Sequence, residues 1–258
     1  MKASEIKPAE ITSLIYGYHA VHYLVQHKPN LIQCLYLEDK NKYQELIATA
    51  RQAGINLTFA DKKHFADLSQ QQKAQEPKIH QGIIALCDAV REGDINDLEA
   101  LTQNPSHALR LLVLDGVTDP HNLGACLRNA AAFAVDALII PKNNTVKLNS
   151  TVIKVACGAA HIVPVIKVTN LVRTLNWLKT MNFVLLGTSE RAELPIHAYK
   201  KHPAVSIALV MGSEGKGLRH LTTETCDQLL RIDLPGAIQS LNVSAATAVC
   251  LHALFGRE

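Results

Sequence analysis

The 258-residue sequence contains no run of about 18 apolar residues, so no segment reads as a membrane-spanning helix. Its first stretch, MKASEIKPAEITS, lacks the apolar region of a secretory signal. The expectation is a soluble, cytoplasmic chain with no membrane partner. CxxC pairs are also missing: Cys34, Cys87, Cys126, Cys157, Cys226 and Cys250 are scattered, mostly among apolar neighbours. That spacing reads as reduced core thiols rather than a disulfide or zinc framework. The twelve histidines show no ligand spacing beside cysteines or carboxylates, and no metal is expected. A strong excess of charge is absent as well, with 26 Lys and Arg against 23 Asp and Glu. The balance is uneven, however. Residues 107–258 hold 15 basic against 10 acidic side chains, and residues 1–106 hold 11 against 13. A mildly basic second half suits a polyanionic partner, although a solvated mixed-charge surface gives similar totals.

With 48% hydrophobic residues the chain has enough apolar material for one or two domains. In the first half, helical periodicity over 17–27 and 43–54 alternates with strand-like runs at 31–39 and 55–61. A helix over 62–72 and a strand over 80–88 complete a small α/β unit. Residues 89–106 are polar and acidic, end in Asn104-Pro105-Ser106, and read as a linker with one helical turn in INDLEALTQ. Beyond them the pattern is regular. Apolar strands are expected at 111–115, 137–141, 162–168, 183–187, 207–212 and 229–234. Helices are expected at 122–134, 151–160, 170–181, 217–224 and 242–255. Near-continuous apolar strands alternating with helices imply a parallel sheet covered on both faces. The organisation is therefore a tail (1–13), a first domain (14–88), a linker (89–106) and a parallel-sheet α/β domain (107–258).

Ligands of such sheets bind outside the carboxyl ends of the strands, which singles out three loops. In DGVTDPHNLGACLRNAAAF, Asn122 is placed to cap the following helix, with Arg128 six residues further on. A plain cap and a surface cation explain both. A helix start beside a strand end is also an anion site, and arginine is suited to gripping phosphate. In ALVMGSEGKGLRH the glycines let backbone approach a ligand, and Glu214 sits among them. Such a Glu is either a solvated or helix-terminal carboxylate, or part of a reactive site. The spacing is neither that of a Walker loop, which needs Ser or Thr where Leu218 stands, nor that of a dinucleotide loop. In LPGAIQSLNVSAATAVCLHAL, Ser240 and Asn242 open a helix with little polar face. That helix is expected to be fully buried, within the domain or against a second subunit.

Taken together, NLGACLRNA, VMGSEGKGL and SLNVSAATAV resemble the three motifs of the SpoU (TrmH-type) RNA ribose 2′-O-methyltransferases, over essentially all of 107–258. IYGYHAV and HQGIIA resemble the N-terminal substrate-binding domain of bacterial 23S rRNA members. The resemblance implies a SPOUT fold, a parallel sheet with a C-terminal trefoil knot, preceded by a small ribosomal-protein-like RNA-binding domain. It implies S-adenosylmethionine as cofactor, contacted by Gly212, Ile232 and Leu241 with Thr188 and Leu234 nearby, and no metal. It further implies methyl transfer to a guanosine ribose of 23S rRNA, or of a large-subunit assembly intermediate, by a homodimer. Arg128 takes the central role. The resemblance assigns it the proton-removing role. A guanidinium does not readily lose a proton, and the alternative is that it stabilises the developing alkoxide, with an RNA phosphate helping to fix its position. Asn122 and Glu214 orient substrate and Arg128, while Ser240 and Asn242 hold the active loop.

The first 88 residues, with 10 basic and 9 acidic side chains, show neither a basic face nor an aromatic RNA-reading signature. Lys62-Lys63 or His19 with His22 are local candidates, and single-stranded RNA is also read by stacking. The same chemistry on tRNA, or a non-catalytic RNA-binding protein, are the alternative readings. A nicotinamide dehydrogenase is excluded, because DGVTDPHNLG follows the first strand of the second domain where GxGxxG is needed.

Overall fold

The computed structural model describes residues 13–71, 81–237 and 240–256, and the chain divides into two units, 1–90 and 91–258. Most of the tail expected over 1–13 lies outside the described residues, as do the last residue of the 62–72 helix and the first of the 80–88 strand.

The first unit runs β1 (Ser13–Tyr16), α1 (Tyr18–His27), β2 (Ile32–Leu37), α2 (Gln44–Gln52), β3 (Leu57–Phe59), α3 (Lys62–Gln71) and β4 (Ile83–Cys87). Its sheet has the order β1-β4-β2-β3, with β4 antiparallel to both neighbours and β2 parallel to β3. The strand β1 was not expected, since four residues are too few to show a period. One side of the helices packs Val21, Leu24, Val25, Leu46, Ile47 and Ala50 out of water.

The second unit contains α4 (Ile95–Thr102), β5 (Arg110–Asp115), α5 (Pro120–Ala132), β6 (Ala137–Pro141), α6 (Ser150–Ala156), α7 (Ala159–Ile162) and β7 (Val165–Val168). It continues with α8 (Leu171–Thr180), β8 (Val184–Thr188), β9 (Leu194–Pro195), β10 (Ile207–Gly212), α9 (His220–Thr225), β11 (Gln228–Arg231) and α10 (Val243–Phe255). All seven strands pair in parallel, in the order β7-β6-β5-β10-β8-β11-β9. Leu111, Leu112, Val113 and Leu114 of the central strand β5 are fully buried, as a sheet covered on both faces demands. Leu111 and Val113 share a core with Leu98 of α4 and Leu171, Leu175 and Leu178 of α8. Leu112 and Leu114 alternate to the other face, where α5 and α10 pack on one another.

Residues 89–106 carry more structure than their polar composition implies. Gly93 bridges to Ile166, and Asp94 and Asp97 form a reciprocal capping box that starts α4. The Asp94 N–H, then Arg91, hold the Asp97 carboxyl below its usual value. Several boundaries also move for local reasons. The helix expected over 151–160 breaks into α6 and α7, because Cys157 (φ 49°) and Gly158 (φ 86°) are both left-handed. The strand expected from 162 starts at Val165, after α7 and Pro164. The helix expected from 217 begins at His220, since Gly217 pairs back to Ser213. The last expected strand, 229–234, leaves the sheet after Arg231, whose neighbour β9 is only two residues long. Beyond the carboxyl end of α10, Lys201 Nζ donates to the Leu254 carbonyl, and Arg110 lies over the Phe255 ring at 5.2 Å. Cations there complement the helix dipole.

The cysteines divide by exposure. Burial pushes the Cys126 thiol up to about 11 and those of Cys87, Cys226 and Cys250 up to about 12, whereas Cys157 is exposed. Thiolate is the reactive form. Iodoacetamide at pH 8 is therefore expected to label Cys157 first, and the buried Cys87, Cys126 and Cys250 only after unfolding. Peptide mass mapping checks this, and Cys157→Ser removes the fast phase.

Candidate functional site

The carboxyl ends of β5 and β10 are neighbours in the sheet, with Gly212 opposite Asp115. The chain leaves β5 through Gly116 and reaches α5, whose N-cap is Asp119: its carboxylate accepts from His121 N at 3.1 Å, and Pro120 takes the first helical position. Asn122 is therefore not the cap that its position suggests. It lies inside the first turn, buried and free to use its amide elsewhere.

The loop after β10 is shaped by its glycines. A Cβ on Gly212 would stand 2.1 Å from the Gly217 carbonyl carbon, so no side chain fits there. Ser213 and Gly217 exchange backbone hydrogen bonds of 3.1 and 2.9 Å, closing a tight turn in which Gly215 and Gly217 have φ of 74° and 65°. That turn presents Glu214. Its Oε1 accepts from Asn122 Nδ2 (3.2 Å), from Asn242 Nδ2 and from the Val243 backbone N–H (3.3 Å). Asn242 Nδ2 also donates to Asn122 Oδ1 at 2.9 Å. Asn242 is the N-cap of α10, accepting from the Ser244 N–H and hydroxyl at 2.8 and 2.6 Å. One side chain from each of the three loops thus meets at a single carboxylate oxygen. Glu214 is a helix-terminal carboxylate, the position the α10 dipole favours.

Two supports escaped sequence reading. Asn129 Nδ2 donates to the Ser244 carbonyl at 2.8 Å, tying α5 to the start of α10. Asp115, buried at the end of β5, accepts from Arg219 N (3.1 Å) and Nε (2.6 Å), with Arg219 NH2 at 2.5 Å. This two-pronged pair joins β5 to the far side of the glycine loop. The available signals were an Asp ending an apolar strand and an Arg just after the loop, each ordinary alone.

Arg128 stands apart. It is exposed on α5, six residues past Asn122 and hence about 9 Å further along the axis. Its NH1 lies 3.8 Å from Cys157 Sγ, and among the described residues it makes no ion pair. Ser240 is exposed. Gly212 and Thr188 end neighbouring strands β10 and β8, while Ile232 and Leu234 follow β11, all half-buried. Leu241, before α10, is 37% exposed. Apolar side chains beside strand-end backbone suit an adenosine-like group. A cleft of about 240 Å³ is lined by Val117, Asn122, Glu214, Lys216 and Val243. Among the described residues no cluster of His, Cys, Asp and Glu could hold a metal ion, and no helix is long and apolar enough to cross a membrane.

Residues 110–252 match the SpoU rRNA Methylase family, and residues 14–93 match a domain described as RNA 2′-O ribose methyltransferase substrate binding. The chain is similar to the 23S rRNA (guanosine-2′-O-)-methyltransferase RlmB of Pectobacterium atrosepticum, at 43% identity over 93% of this chain and 96% of the relative. The RlmB of Escherichia coli K12 is 42% identical, over 93% and 97%. Among solved structures, the SpoU methyltransferase AviRb from Streptomyces viridochromogenes, in complex with AdoMet, superposes with a TM-score of 0.65. Its identity is 18%, over 94% of this chain and 88% of that one, and the likeness is one of fold.

Glu214→Ala leaves the Val243 N–H and the Asn122 amide without this acceptor and removes one of the two acceptors of Asn242 Nδ2. A loss of stability of about 1–3 kcal/mol is expected by urea denaturation. Glu214→Gln retains an acceptor oxygen and is expected to lose less. Unchanged stability of Glu214→Ala would show that the shared oxygen contributes nothing.

Proposed function

The chain belongs to the SpoU rRNA methylase family, and from that premise we propose that it transfers a methyl group from S-adenosylmethionine to the ribose 2′-hydroxyl of a guanosine in 23S rRNA. The chemistry is supported by the meeting of Asn122, Glu214 and Asn242 at the sheet's carboxyl edge. The substrate follows from the relatives' own. The enzyme is SAM-dependent, and it works where ribosomes assemble, in the cytoplasm, on rRNA or a large-subunit precursor. Residues 14–88 hold RNA, and 107–258 carry the transfer.

Bound S-adenosylmethionine supplies an electrophilic methyl group on a sulfonium. Gly212, Thr188, Ile232, Leu234 and Leu241 are the residues that would hold it, their apolar side chains and strand-end backbone suiting an adenosine group. The protein then has to place the ribose oxygen in line and lower the cost of its negative charge. Alignment accounts for up to about 7–11 kcal/mol of such a barrier. Asn122, Glu214 and Asn242 fix the floor on which the ribose is placed, with Ser240 at the loop's mouth. Arg128 donates to the alkoxide as it forms and to a neighbouring phosphate, remaining protonated throughout, and the hydroxyl proton passes to solvent water. Its five N–H donors allow both contacts at once.

The site is completed by a homodimer. α10 buries Val243, Thr247, Cys250, Leu251, Leu254 and Phe255, but Ala245, Val249 and Ala253 remain exposed, Val249 at 40%. The full burial expected of this helix is thus met on one face of the single chain. The open stripe, with Leu241 beside it, is the face for a second copy.

Two outcomes follow. Arg128→Ala is expected to lower methyl transfer to unmodified 23S rRNA about a hundredfold or more, with S-adenosylmethionine binding by calorimetry unchanged. Label appearing on tRNA instead of rRNA would redirect the substrate, and near-normal turnover would remove Arg128 from its role. Val249→Asp is expected to convert a dimer of twice 28.2 kDa into monomer by light scattering.

A further inference from the structure

Five of the six tyrosines lie within the first 43 residues: Tyr16, Tyr18, Tyr23, Tyr36 and Tyr43. Two of them meet at one end of the first unit. The Tyr18 ring stacks on Tyr43 with centroids 5.1 Å apart and planes 20° from parallel. His22, one turn along α1, tilts onto Tyr18 at 5.2 Å, and His19 meets it edge-on at 5.5 Å. Lys42 Nζ sits 5.0 Å from the Tyr43 ring centroid. The order His22, Tyr18, Tyr43, Lys42 is a ladder of rings ending in a cation.

The ladder is held from behind by one residue. The Gln81 carbonyl accepts from Tyr43 OH (2.8 Å) and Lys42 Nζ (3.1 Å), and its side-chain oxygen accepts from Tyr18 N (2.9 Å). Tyr43 and Gln81 are both in left-handed conformations, φ 72° and 55°, which side-chain-bearing residues rarely adopt. One buried cluster of the unit lies around Leu14, Phe65 and Ile84, and α1 and α2 bury Val21, Leu24, Val25, Leu46 and Ile47. The rings of the ladder are half-buried at the surface, with His19 and Lys42 exposed. The left-handed backbone at Tyr43 and Gln81 thus aligns rings at the surface.

We propose that this ladder docks unpaired nucleotides of the RNA substrate, its rings offering faces and edges to bases, and Lys42 and His19 meeting the adjoining phosphates. Stacking explains how a unit with nearly balanced charge holds a polyanion: recognition of unpaired RNA relies on π-faces as much as on cations. It also supplies the aromatic signature that the sequence seemed to lack, because its parts are 25 residues apart until the chain folds. The inference rests on the reading of the chain as an rRNA methyltransferase.

The test uses the full chain and two fluorescent RNAs of one sequence, one single-stranded and one fully paired, alongside methyl transfer to unmodified 23S rRNA. Tyr18→Leu and Tyr43→Leu keep apolar volume and remove the stacking faces. Each is expected to weaken single-strand binding about tenfold or more, leave duplex binding within about twofold, and raise KM for rRNA with kcat unchanged. S-adenosylmethionine affinity and the melting curve report that the fold is intact. If either leucine variant melts early, His19→Ala and Lys42→Ala, both exposed, carry the test, each expected to weaken single-strand binding about threefold. Unchanged single-strand affinity in folded variants, or equal losses on both RNAs, overturns the ladder. Failure of the wild type to methylate rRNA while still binding single strands through the ladder overturns the functional reading and leaves the ladder standing.

Discussion

The Oε1 atom of Glu214 is where the second unit is tied together. Three N–H groups, from Asn122, Asn242 and Val243, converge on it, and they belong to segments that are 92, 28 and 29 residues away. Much of the local structure exists to bring that oxygen there. Gly212 must lack a Cβ so that the turn can fold back on it, and Gly215 and Gly217 must be left-handed so that the turn can close. Asp119 must take the capping of α5 so that the Asn122 amide is available. The Asp115–Arg219 pair then fixes the far side of the same loop to β5. A carboxylate with three donors on one oxygen is already committed as an acceptor, which suits positioning better than proton removal.

Much of this was legible from residue order. Uninterrupted apolar runs revealed β5, β6, β8 and β10, and from them a parallel sheet with its ligand edge at three named loops. What residue order leaves open is which strands become neighbours. β10 inserts between β5 and β8, and only that places Glu214 beside Asn122. The ambiguity at the start of α5 was of another kind. Asp119 and Asn122 are both competent caps three residues apart, and the decision falls to Pro120, which is favoured at the first helical position and so selects the residue before it. The break at Cys157 was hidden for a similar reason. A non-glycine residue in the left-handed region is set by its surroundings, not by its own preference. Two-residue β9 and four-residue β1 are below the length at which any period can be read.

On the readings proposed above, the two units meet RNA by opposite means. In the second, the relevant residues lie in contiguous motifs, because backbone geometry at a strand end needs a fixed local spacing of glycine, asparagine and carboxylate. In the first, the surface features come from Tyr18, Tyr43 and Gln81, three positions with no common motif. Motif recognition therefore finds the chemistry and misses the grip. Net charge misleads in the same way, since a ring face adds nothing to it.

The position of Arg128 outside the Glu214 network is itself informative. Had its guanidinium paired with a carboxylate, as Arg219 does with Asp115, its N–H donors would be directed and its charge partly spent. Instead its neighbour is a thiol sulfur at 3.8 Å, a weak acceptor that leaves nearly all of its donor capacity available. The helix that carries it is fixed at both ends of the contact with α10, through Asn122 and through Asn129 with the Ser244 carbonyl. A rigid base with an uncommitted cation is the arrangement that electrostatic stabilisation requires. The donor must be in place before the alkoxide forms, and it must not have to break an existing ion pair to meet it.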